Sequence, residues 1–407
     1  MTTAAQDIDH ISAIGTEDGA AATVDFTWPP VGPDQEAAVL ACLRQGDPSI
    51  PARIIAELET AVSAFLGVPH VLAHGNGTSA MLSALHAVGV GSGDEVICPA
   101  YTWWASIAPV RWLGGVPVFC DIEPGDLTLD VASLEALIGP RTRAIVVPHL
   151  WGAAADVAAV LRLARSHGLA VVEDASQVFA ATLDGRWLGT FGDVGVFSMQ
   201  AKKPLPAGEG GLLVTRSPEL YERALAIGHY ERLKPIPIHD DYWTTGLGLK
   251  FRISALNAAL ALSHLPTTEA VLARQETLTK ALVDALLGGR PDRRAVGFQP
   301  GVVHGGRTAL RLVLEGPRAC RSGLGDLASR LTAAGLPTQD EYLRPLHLAP
   351  LFAPADGTAP DRLAVTEMLH PRLLQVVLPV TGSVAAVEEL GQAACAVLDR
   401  WESEVPG

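Results

Sequence analysis

The sequence predicts an α/β protein with a large, mostly parallel sheet domain and a smaller C-terminal α/β domain. Short apolar runs alternate along the chain with stretches whose apolar residues recur at helical intervals. The runs are apolar throughout, which is typical of parallel strands covered by helices on both faces. The chain has 407 residues, 48% of them hydrophobic and 18% charged, which is enough for two domains with buried cores.

The predicted elements follow one another in a regular order. Helical spacing covers 34–45 and 53–66, and a longer helical tract covers 255–286. Between them, the predicted strands are 71–73, 95–98, 116–120, 144–148, 169–173, 194–199 and 211–215, and the predicted helices are 79–88, 106–113, 131–137 and 157–166.

These elements predict a division of the chain into three parts. Residues 1–35 form an N-terminal arm, for which the weak pattern predicts partial disorder. Residues 36–265 form the large domain. Residues 266–407 form a connecting helix and the small C-terminal domain, in which shorter strand and helix patterns alternate.

Composition excludes several kinds of partner. The formal net charge of −14 opposes binding to nucleic acid and to anionic membranes, so an anionic ligand must be held by local donors. The five cysteines lack the close spacing of a metal or redox motif, which predicts reduced thiols, no metal site and a cytoplasmic protein. There is no signal-peptide pattern, and no apolar stretch reaches the roughly 18 residues of a membrane span.

The string HGNGTSA, from His74 to Ala80, turns from a predicted strand into a predicted helix. Its glycines allow close backbone approach, and Thr78 and Ser79 offer hydroxyl groups beside first-turn amides. A helix start of this kind binds phosphate through its N–H groups and its dipole. A Ser or Thr N-cap after a glycine turn is the ordinary alternative.

A carboxylate ends one of the predicted strands. The strand 169–173 continues into Asp174, and ligands of open α/β sheets lie beyond such strand ends. An acid there could keep a pyridinium nitrogen protonated, so that the ring accepts electrons. A metal ligand or a helix cap is the common alternative. Gln177, in the same turn, could donate to a phenolate oxygen.

The stretch 197–211, FSMQAKKPLPAGEGG, carries Lys202 and Lys203 between a strand end and a loop stiffened by prolines. A lysine that forms a Schiff base needs a rigid support and a lowered pKa, and a neighbouring cation lowers it. An exposed basic loop is the ordinary alternative for a pair of lysines.

A phosphate-binding turn, an aromatic platform (YTWW, 101–104), a strand-end acid and a lysine loop occur in that order, each at a strand-to-loop junction. Together they supply every contact that pyridoxal 5′-phosphate requires: phosphate donors, a stacking face, a pyridinium counter-ion, a donor to the ring oxygen O3′ and an amine. The sequence therefore predicts a pyridoxal phosphate enzyme with a Schiff-base lysine.

In these strings the chain resembles the DegT/StrS-type sugar and aminocyclitol aminotransferases, a branch of the fold-type I pyridoxal phosphate-dependent transferases. The strings are NGTSA, GDEVICPAYTWWAS, PVFCDIEPGDLTLD, VVEDASQ, GDVGVFSMQAKKPLPAGEGG and GLKFRISALNAALA. The resemblance covers about 58–265 and, more loosely, 342–347. PAYTWW, GHYERL and GLGLKFR resemble a subgroup related to the scyllo-inosose aminotransferases.

The resemblance implies a role for each cofactor-binding position. The family places its lysine five residues after the serine that corresponds to Ser198, which selects Lys203 over Lys202. The other implied contacts are Gly77, Thr78, Ser79 and Ser198 for the phosphate, Trp103 for the ring face, Asp174 for the pyridinium nitrogen and Gln177 for O3′.

Two positions depart from the family pattern. Where the family commonly has an Asn that reaches the phosphate of the neighbouring subunit, this chain has Lys250, which could act as a point charge. Pro204 directly follows Lys203 and biases it towards an extended backbone. The resemblance also implies a homodimer with shared active sites.

The resulting hypothesis is transfer of an amino group from an amino acid, by resemblance Glu or Gln, to a keto-sugar or keto-cyclitol in natural-product biosynthesis. Lys203 and Asp174 are the predicted catalytic residues. A dehydration, cyclisation or substitution on the same scaffold and a non-catalytic partner subunit are the alternatives. The family's sugar 3-dehydratases have His in place of the lysine, so Lys203 disfavours dehydration. The candidate substrate contacts are Trp104, His149, Trp151, His229, Tyr230 and Arg252.

Overall fold

The computed structural model describes residues 23–45, 53–233, 248–303, 307, 309–315, 318–319, 321–340, 343–352 and 362–404. Residues 1–22 of the predicted arm and the side chain of Tyr230 lie outside the described part. No helix within these ranges combines the length and the apolar character that a membrane crossing requires.

Seven strands form the central sheet of the large domain. In chain order the strands are β1 (His70–His74), β2 (Glu95–Pro99), β3 (Val116–Cys120), β4 (Thr142–Pro148), β5 (Ala170–Asp174), the short pair β6 (Thr182–Leu183) and β7 (Arg186–Trp187) outside this sheet, β8 (Val194–Ser198) and β9 (Gly211–Thr215). Their spatial order is β1-β9-β8-β5-β4-β2-β3. Neighbours from β8 to β3 are parallel, and β9 is antiparallel to β1 and β8. The predicted, mostly parallel sheet is confirmed.

Helices cover both faces of this sheet. They are α1 (Pro33–Arg44), α2 (Arg53–Leu66), α3 (Gly77–Ala87), α4 (Ala108–Trp112), α5 (Val131–Leu137), α6 (Val157–His167), α7 (Pro218–Gly228) and α8 (Ala255–His264). Successive residues of β4 enter different cores: Val146 packs in the cluster that includes α3, whereas Ile145 and Val147 pack with α5 and α6. Because both faces are buried, the central residues of the strands are mostly apolar on both faces.

The C-terminal part forms an antiparallel sheet with helices packed against it. Its elements, together with the strand β11, are α9 (Thr268–Leu287), β10 (Arg293–Ala295), β11 (Val302–Val303), β12 (Leu310–Leu314), α10 (Arg321–Ala333), β13 (Thr338–Gln339), α11 (Ala364–Leu369), β14 (Leu373–Val376) and α12 (Val384–Ser403). The sheet order is β10-β12-β14-β13, and β11 joins β6 and β7. An apolar cluster that includes Tyr101, Trp151 and Val313 connects the two domains.

The tract 255–286, predicted as one helical stretch, is two α-helices. α8 ends at His264, the 3-10 turn Leu265–Thr267 follows, and α9 begins at Thr268. Pro266 causes the break, because it lacks an amide hydrogen and its ring displaces the preceding turn. The predicted helix 106–113 is likewise divided, into the 3-10 turn Trp104–Ser106 and α4.

The described end of the arm contacts both domains. Asp25 pairs with Thr381 through backbone hydrogen bonds, and Phe26 packs against the small-domain core. Trp28 packs against the core of the large domain, and its indole N–H donates to the carbonyl of Lys203 at 3.2 Å. These residues therefore connect the lysine loop to the small domain.

Two buried histidines lie behind the start of α3. His74 donates from Nδ1 to the Leu72 carbonyl and accepts at Nε2 from the Ser83 hydroxyl, and His229 lies edge-on to it with ring centroids 4.9 Å apart. Burial lowers the pKa of His74 from 6.5 to about 4. Burial, together with His74 and the guanidinium groups nearby, lowers the pKa of His229 from 6.5 to about 2.

We expect this histidine pair to destabilise the protein as the pH falls. Both folded-state pKa values lie below 6.5, so acid protonates the unfolded chain at these sites before the folded chain. Each histidine should remove about 2 kcal/mol from the free energy of unfolding between about pH 7.5 and about pH 5. His229→Phe, which cannot titrate, should lose about half of this dependence in urea unfolding measured across that range. Parallel stability curves for the two proteins would contradict a neutral, buried His229.

Candidate functional site

A cavity of about 470 Å³ opens at the carboxyl ends of the parallel strands. His149 follows β4, Asp174 ends β5 and Ser198 ends β8, and all three line the cavity. Arg311 of β12 and Gln375 of β14 line it from the small domain. The volume is in the usual range for small-molecule sites.

The start of α3 forms one end of the cavity. The helix begins at Gly77, two residues before the predicted start, and its N-cap is Asn76, whose side chain accepts from the Ser79 amide at 2.8 Å. A Ser or Thr cap, the ordinary alternative from the sequence, is therefore wrong. Gly77 and Thr78 line the cavity with first-turn amides, which have no acceptor inside the helix and favour an anion. Ser79 is not part of the lining.

Two glycines allow this helix start to lie against the strand ends. A Cβ atom on Gly77 would lie 3.0 Å from the Cβ of Ser198, and one on Gly211 would overlap the backbone of Asn76. Glycine is therefore required at 211 unless the backbone moves. The close approach brings the Ser198 side chain beside the first turn of α3, as the predicted phosphate site needs.

Hydrogen bonds hold the carboxylate of Asp174 at the end of β5. Its Oδ2 accepts from the Ser106 hydroxyl at 2.6 Å, and its Oδ1 accepts from the Ser176 amide at 3.1 Å. The hydroxyl of Thr102 lies 3.1 Å from that of Ser106 and extends the chain of contacts. The acid is thus fixed at the cavity wall in a single orientation.

The lysine loop is stiffened by its own backbone. Lys203 N–H donates to the Gln200 carbonyl at 2.8 Å, and Ala201 N–H donates to the Gly208 carbonyl at 2.9 Å. Burial lowers the pKa of the Lys203 amine, and the negative charge of Asp174 opposes this shift only in part. Lys202, whose side chain is exposed, lies at the same cavity. The structure therefore brings together the predicted acid and amine.

Trp103, Trp151 and Gln177 form the wall beside Asp174. Trp103 is 50% exposed, so a face of its indole is accessible for stacking, whereas Trp104 does not line the cavity. Trp151 has a backbone φ of 51°, a strained value for a large side chain. Its amide donates to Gln177 Oε1 at 3.1 Å, which leaves the NH₂ group of Gln177 as the donor of that side chain.

His149 is a buried part of the wall rather than an exposed one. Its Nε2 donates to Glu173 at 3.0 Å, and its Nδ1 accepts from the Ala155 amide at 3.2 Å. These two bonds assign the hydrogen to Nε2. Both side chains are fully buried, so His149 stabilises the loop after β4 and reaches the cavity at its edge.

Several predicted residues are not brought to this cavity. Lys250 is exposed, Arg252 forms an ion pair with Glu231 at 3.2 Å, and His229 is buried against His74. None of these three lines the cavity of its own chain. The side chain of Tyr230 is outside the described residues. The geometry of one chain therefore gives no support for Lys250, Arg252 and His229 as contacts in its own cavity, and it does not test Tyr230.

The polar residues that the structure places at the site and that the sequence did not single out include Asn76, Ser106, Ser176, Arg311 and Gln375. Asn76 belongs to the HGNGTSA string and Ser106 ends PAYTWWAS, so the sequence contained a signal for both residues. Arg311 and Gln375 lie on strands of the small domain, where the short patterns gave no signal for a site.

The residues present fit pyridoxal phosphate. Gly77 and Gly211 allow the end of β8 and the start of β9 to pack against the helix start, which places the Ser198 side chain beside the first-turn amides that can bind a phosphate. A partly buried amine with a lowered pKa and a carboxylate held at a strand end share the same cavity. This is the donor set that a phosphate, an aldehyde and a pyridine nitrogen require.

The comparisons with known proteins agree with this geometry. A sequence model of the DegT/DnrJ/EryC1/StrS aminotransferase family matches residues 31–390. The L-glutamine:2-deoxy-scyllo-inosose aminotransferase of Streptomyces kanamyceticus is 38% identical over 330 residues, which cover 77% of this chain and 74% of that protein. The GDP-perosamine synthase of Caulobacter vibrioides is 38% identical over 238 residues, 58% of this chain and 63% of the synthase.

A solved structure of another enzyme has a similar fold. The structure of DesV from S. venezuelae, in complex with a ketimine intermediate, is similar to this fold with a TM-score of 0.79 and 28% sequence identity. The match covers 92% of this chain and 95% of DesV.

Proposed function

Because this chain belongs to the DegT/DnrJ/EryC1/StrS aminotransferase family, we propose that it transfers the amino group of L-glutamine to the ketone of a cyclitol. The family and the named relatives show that the chain is a pyridoxal phosphate-dependent aminotransferase. They confirm the predicted transamination and do not support dehydration, cyclisation, substitution or a non-catalytic subunit. The donor and the acceptor are the proposed part. Their support is the similarity to aminotransferases that are named for glutamine and scyllo-inosose ketones.

One observation carries the proposal for the chemistry. The amine of Lys203 and the carboxylate of Asp174 line one cavity, and burial lowers the pKa of the amine. A lysine that exchanges covalent partners must spend part of its time as a neutral amine. An exposed basic loop, the ordinary alternative for this pair of lysines, would not lower that pKa.

When bound, pyridoxal phosphate supplies an electron-poor ring that stores the electron pair left when the donor loses its α-proton. In our proposal Lys203 Nζ takes that proton from the α-carbon. Asp174 keeps a proton on the ring nitrogen, and the NH₂ group of Gln177 donates to the ring oxygen. The same residues act in reverse order on the ketone.

The remaining cofactor contacts follow from the cavity wall. The amides of Gly77 and Thr78 hold the phosphate, and the Ser198 hydroxyl beside them adds a third donor. The indole of Trp103 covers one face of the ring. Ser106 and Ser176 keep the carboxylate of Asp174 in place throughout the cycle.

A sugar nucleotide is the second candidate acceptor, because GDP-perosamine synthase is among the relatives. The net charge of −14 disfavours a diphosphate-bearing substrate. A free cyclitol ketone carries no charge and meets no such repulsion. We therefore place the cyclitol first.

We also propose a cytoplasmic homodimer with shared active sites. Lys250 is exposed and does not line the cavity of its own chain. Its position suits a role in the cofactor site of a partner chain, where the ammonium group would contact the phosphate.

Lys203→Ala should abolish covalent attachment of the cofactor, whereas Lys202→Ala should retain it. The reason is that the Lys203 side chain is partly buried and burial lowers the pKa of its amine, whereas the Lys202 side chain is exposed to solvent. Borohydride reduction followed by peptide mass spectrometry locates the attached mass. An adduct on Lys202 in the wild-type protein would disprove the assignment.

The holoenzyme should convert 2-deoxy-scyllo-inosose to an amino-cyclitol when L-glutamine is present, and mass spectrometry of the product checks this. A GDP-linked keto-sugar should react at least about tenfold more slowly. Asp174→Asn, which cannot balance the ring charge, should reduce turnover by about 10²- to 10⁴-fold. Amination of the nucleotide sugar in preference to the cyclitol would exchange the order of the two acceptors.

Lys250→Ala should weaken cofactor retention by about tenfold, as expected for the loss of one charged contact to phosphate. Lys280→Ala, at an exposed position of α9, is the matched control and should have no effect. Equilibrium dialysis of the cofactor, combined with the native mass of each variant, measures both properties. Equal retention in the two variants would remove Lys250 from the shared site.

A further inference from the structure

A tryptophan in the segment before α1 contacts the backbone of the lysine loop. The indole Nε1 of Trp28 donates a hydrogen bond to the carbonyl oxygen of Lys203 at 3.2 Å. The next residue is Pro204, which has no amide hydrogen, so this carbonyl is the only backbone hydrogen-bonding group of the peptide unit between residues 203 and 204. A hydrogen bond can therefore fix this peptide unit only through the carbonyl, and Trp28 makes that bond.

Both peptide units that flank the Cα atom of Lys203 are thus held. On the N-terminal side, the Lys203 amide donates to the carbonyl of Gln200 at 2.8 Å. On the C-terminal side, the indole of Trp28 binds the Lys203 carbonyl. A lysine side chain is a flexible four-carbon stem, so its amine returns to one place only if the Cα atom is fixed as well. The two bonded peptide units provide that fixed point.

Apolar packing holds the indole itself. Trp28 is partly buried and packs against the core cluster of the large domain, which includes Leu205 and Ala207 of the lysine loop. The carbonyl of Ala207 accepts from the side-chain amide of Asn257, in α8, at 2.6 Å. The loop is therefore bonded to the segment before α1 and to α8 as well as to its own backbone.

The segment that carries Trp28 is anchored in the other domain. The amide of Asp25 donates to the Thr381 carbonyl at 3.1 Å, and Phe26 packs against the small-domain core. The carboxylate of Asp25 accepts from the amide and the hydroxyl of Thr27 at 3.0 and 2.7 Å, which orders the chain between this anchor and Trp28. The donor to the Lys203 carbonyl consequently lies on a segment that both domains hold.

We propose that Trp28 is a positioning residue for the reaction: by binding the Lys203 carbonyl, its indole holds the Lys203 amine in its partly buried place at the cavity. The proposal rests on the role proposed above for Lys203. That amine exchanges covalent partners in each half of the reaction and must return to the same position each time. Trp28 is not among the described residues that line the cavity, so it acts through Lys203 and not on the cofactor or the substrate.

Two substitutions separate the hydrogen bond from the packing. Trp28→Phe keeps an aromatic ring in the apolar contact and removes the N–H group. Trp28→His loses the second ring but keeps a five-membered ring whose Nε2–H stands where the indole N–H does. Trp187→Phe is the matched control, because Trp187 is also partly buried and packs against the same cluster, stacked on Phe65. We expect a defect in Trp28→Phe and behaviour close to that of the wild-type protein in the other two variants.

The first readout is the reactivity of the Lys203 amine in the full chain without cofactor. Burial lowers the pKa of this amine, so an amine that leaves its place for water should have a pKa nearer the ordinary 10.5. Trace labelling with acetic anhydride across a range of pH, followed by tandem mass spectrometry, gives the titration midpoint of each lysine. The midpoint of Lys203 should rise in Trp28→Phe and stay in place in Trp187→Phe. The neighbouring Lys202 is exposed and serves as the internal reference, with the same midpoint in every variant.

The second readout is cofactor retention by the holoenzyme. Loss of one hydrogen bond should speed the release of pyridoxal phosphate during dialysis roughly 3- to 10-fold in Trp28→Phe. Trp28→His and Trp187→Phe should release the cofactor at nearly the wild-type rate. Thermal unfolding of the same proteins reports the structural cost of each substitution separately.

The outcomes decide between positioning and packing. An unchanged Lys203 midpoint in Trp28→Phe, an equal rise in Trp187→Phe, or a larger rise in Trp28→His than in Trp28→Phe overturns the proposal. If Trp28→Phe does not fold, Trp28→His decides: a wild-type midpoint supports the hydrogen bond, and a raised midpoint overturns it. If borohydride reduction finds no cofactor on Lys203, the proposed function fails, and labelling of the cofactor-free chain still shows whether Trp28 holds the amine.

Discussion

The buried carboxylate of Glu173 holds together the strand ends on which the site is built. It accepts hydrogen bonds from His149 Nε2 and from three backbone amides in the segment 189–192. A carboxylate that is fully buried is tolerated because its oxygens are bonded in this way. These bonds join the loop after β4 and the turn before β8 to the end of β5. Asp174 is the next residue and the last of β5, so these bonds also fix the position of its backbone at the cavity.

Much of the fold could be predicted because the strands of the large domain are buried on both faces. Val146 and Val147 enter different cores, so β4 is apolar from Ala144 to Pro148 and is easily recognised in the sequence. The helical pattern on either side of Pro266 is continuous, so apolar spacing alone does not reveal the break there. The N-cap of α3 illustrates a different difficulty, since Asn76, Thr78 and Ser79 are all suitable caps and only the backbone geometry selects Asn76.

The residues of the candidate site likewise fall into those that the sequence predicts and those that only the packing of the domains reveals. Lys203 and Asp174 could be found from the sequence because strand ends of a parallel sheet meet at one edge. Arg311 could not, because its strand has the composition of a core strand, LRLVL, and its position at the cavity depends on the packing of one domain against the other. His229, in the GHYERL string, was a candidate for a substrate contact, and in the structure it is buried against His74 and does not line the cavity of its own chain.

The cavity wall comes from two domains, and this has a consequence for how such proteins diversify. The groups suited to the cofactor lie on the large domain, whereas β12 and β14 of the small domain contribute Arg311 and Gln375. Substitutions on these two strands can therefore alter which molecules enter without disturbing the groups that perform the proton transfers. Proteins that share the same catalytic residues can in this way come to accept many different substrates during evolution. A designer who wishes to change the substrate should begin with the four-stranded sheet.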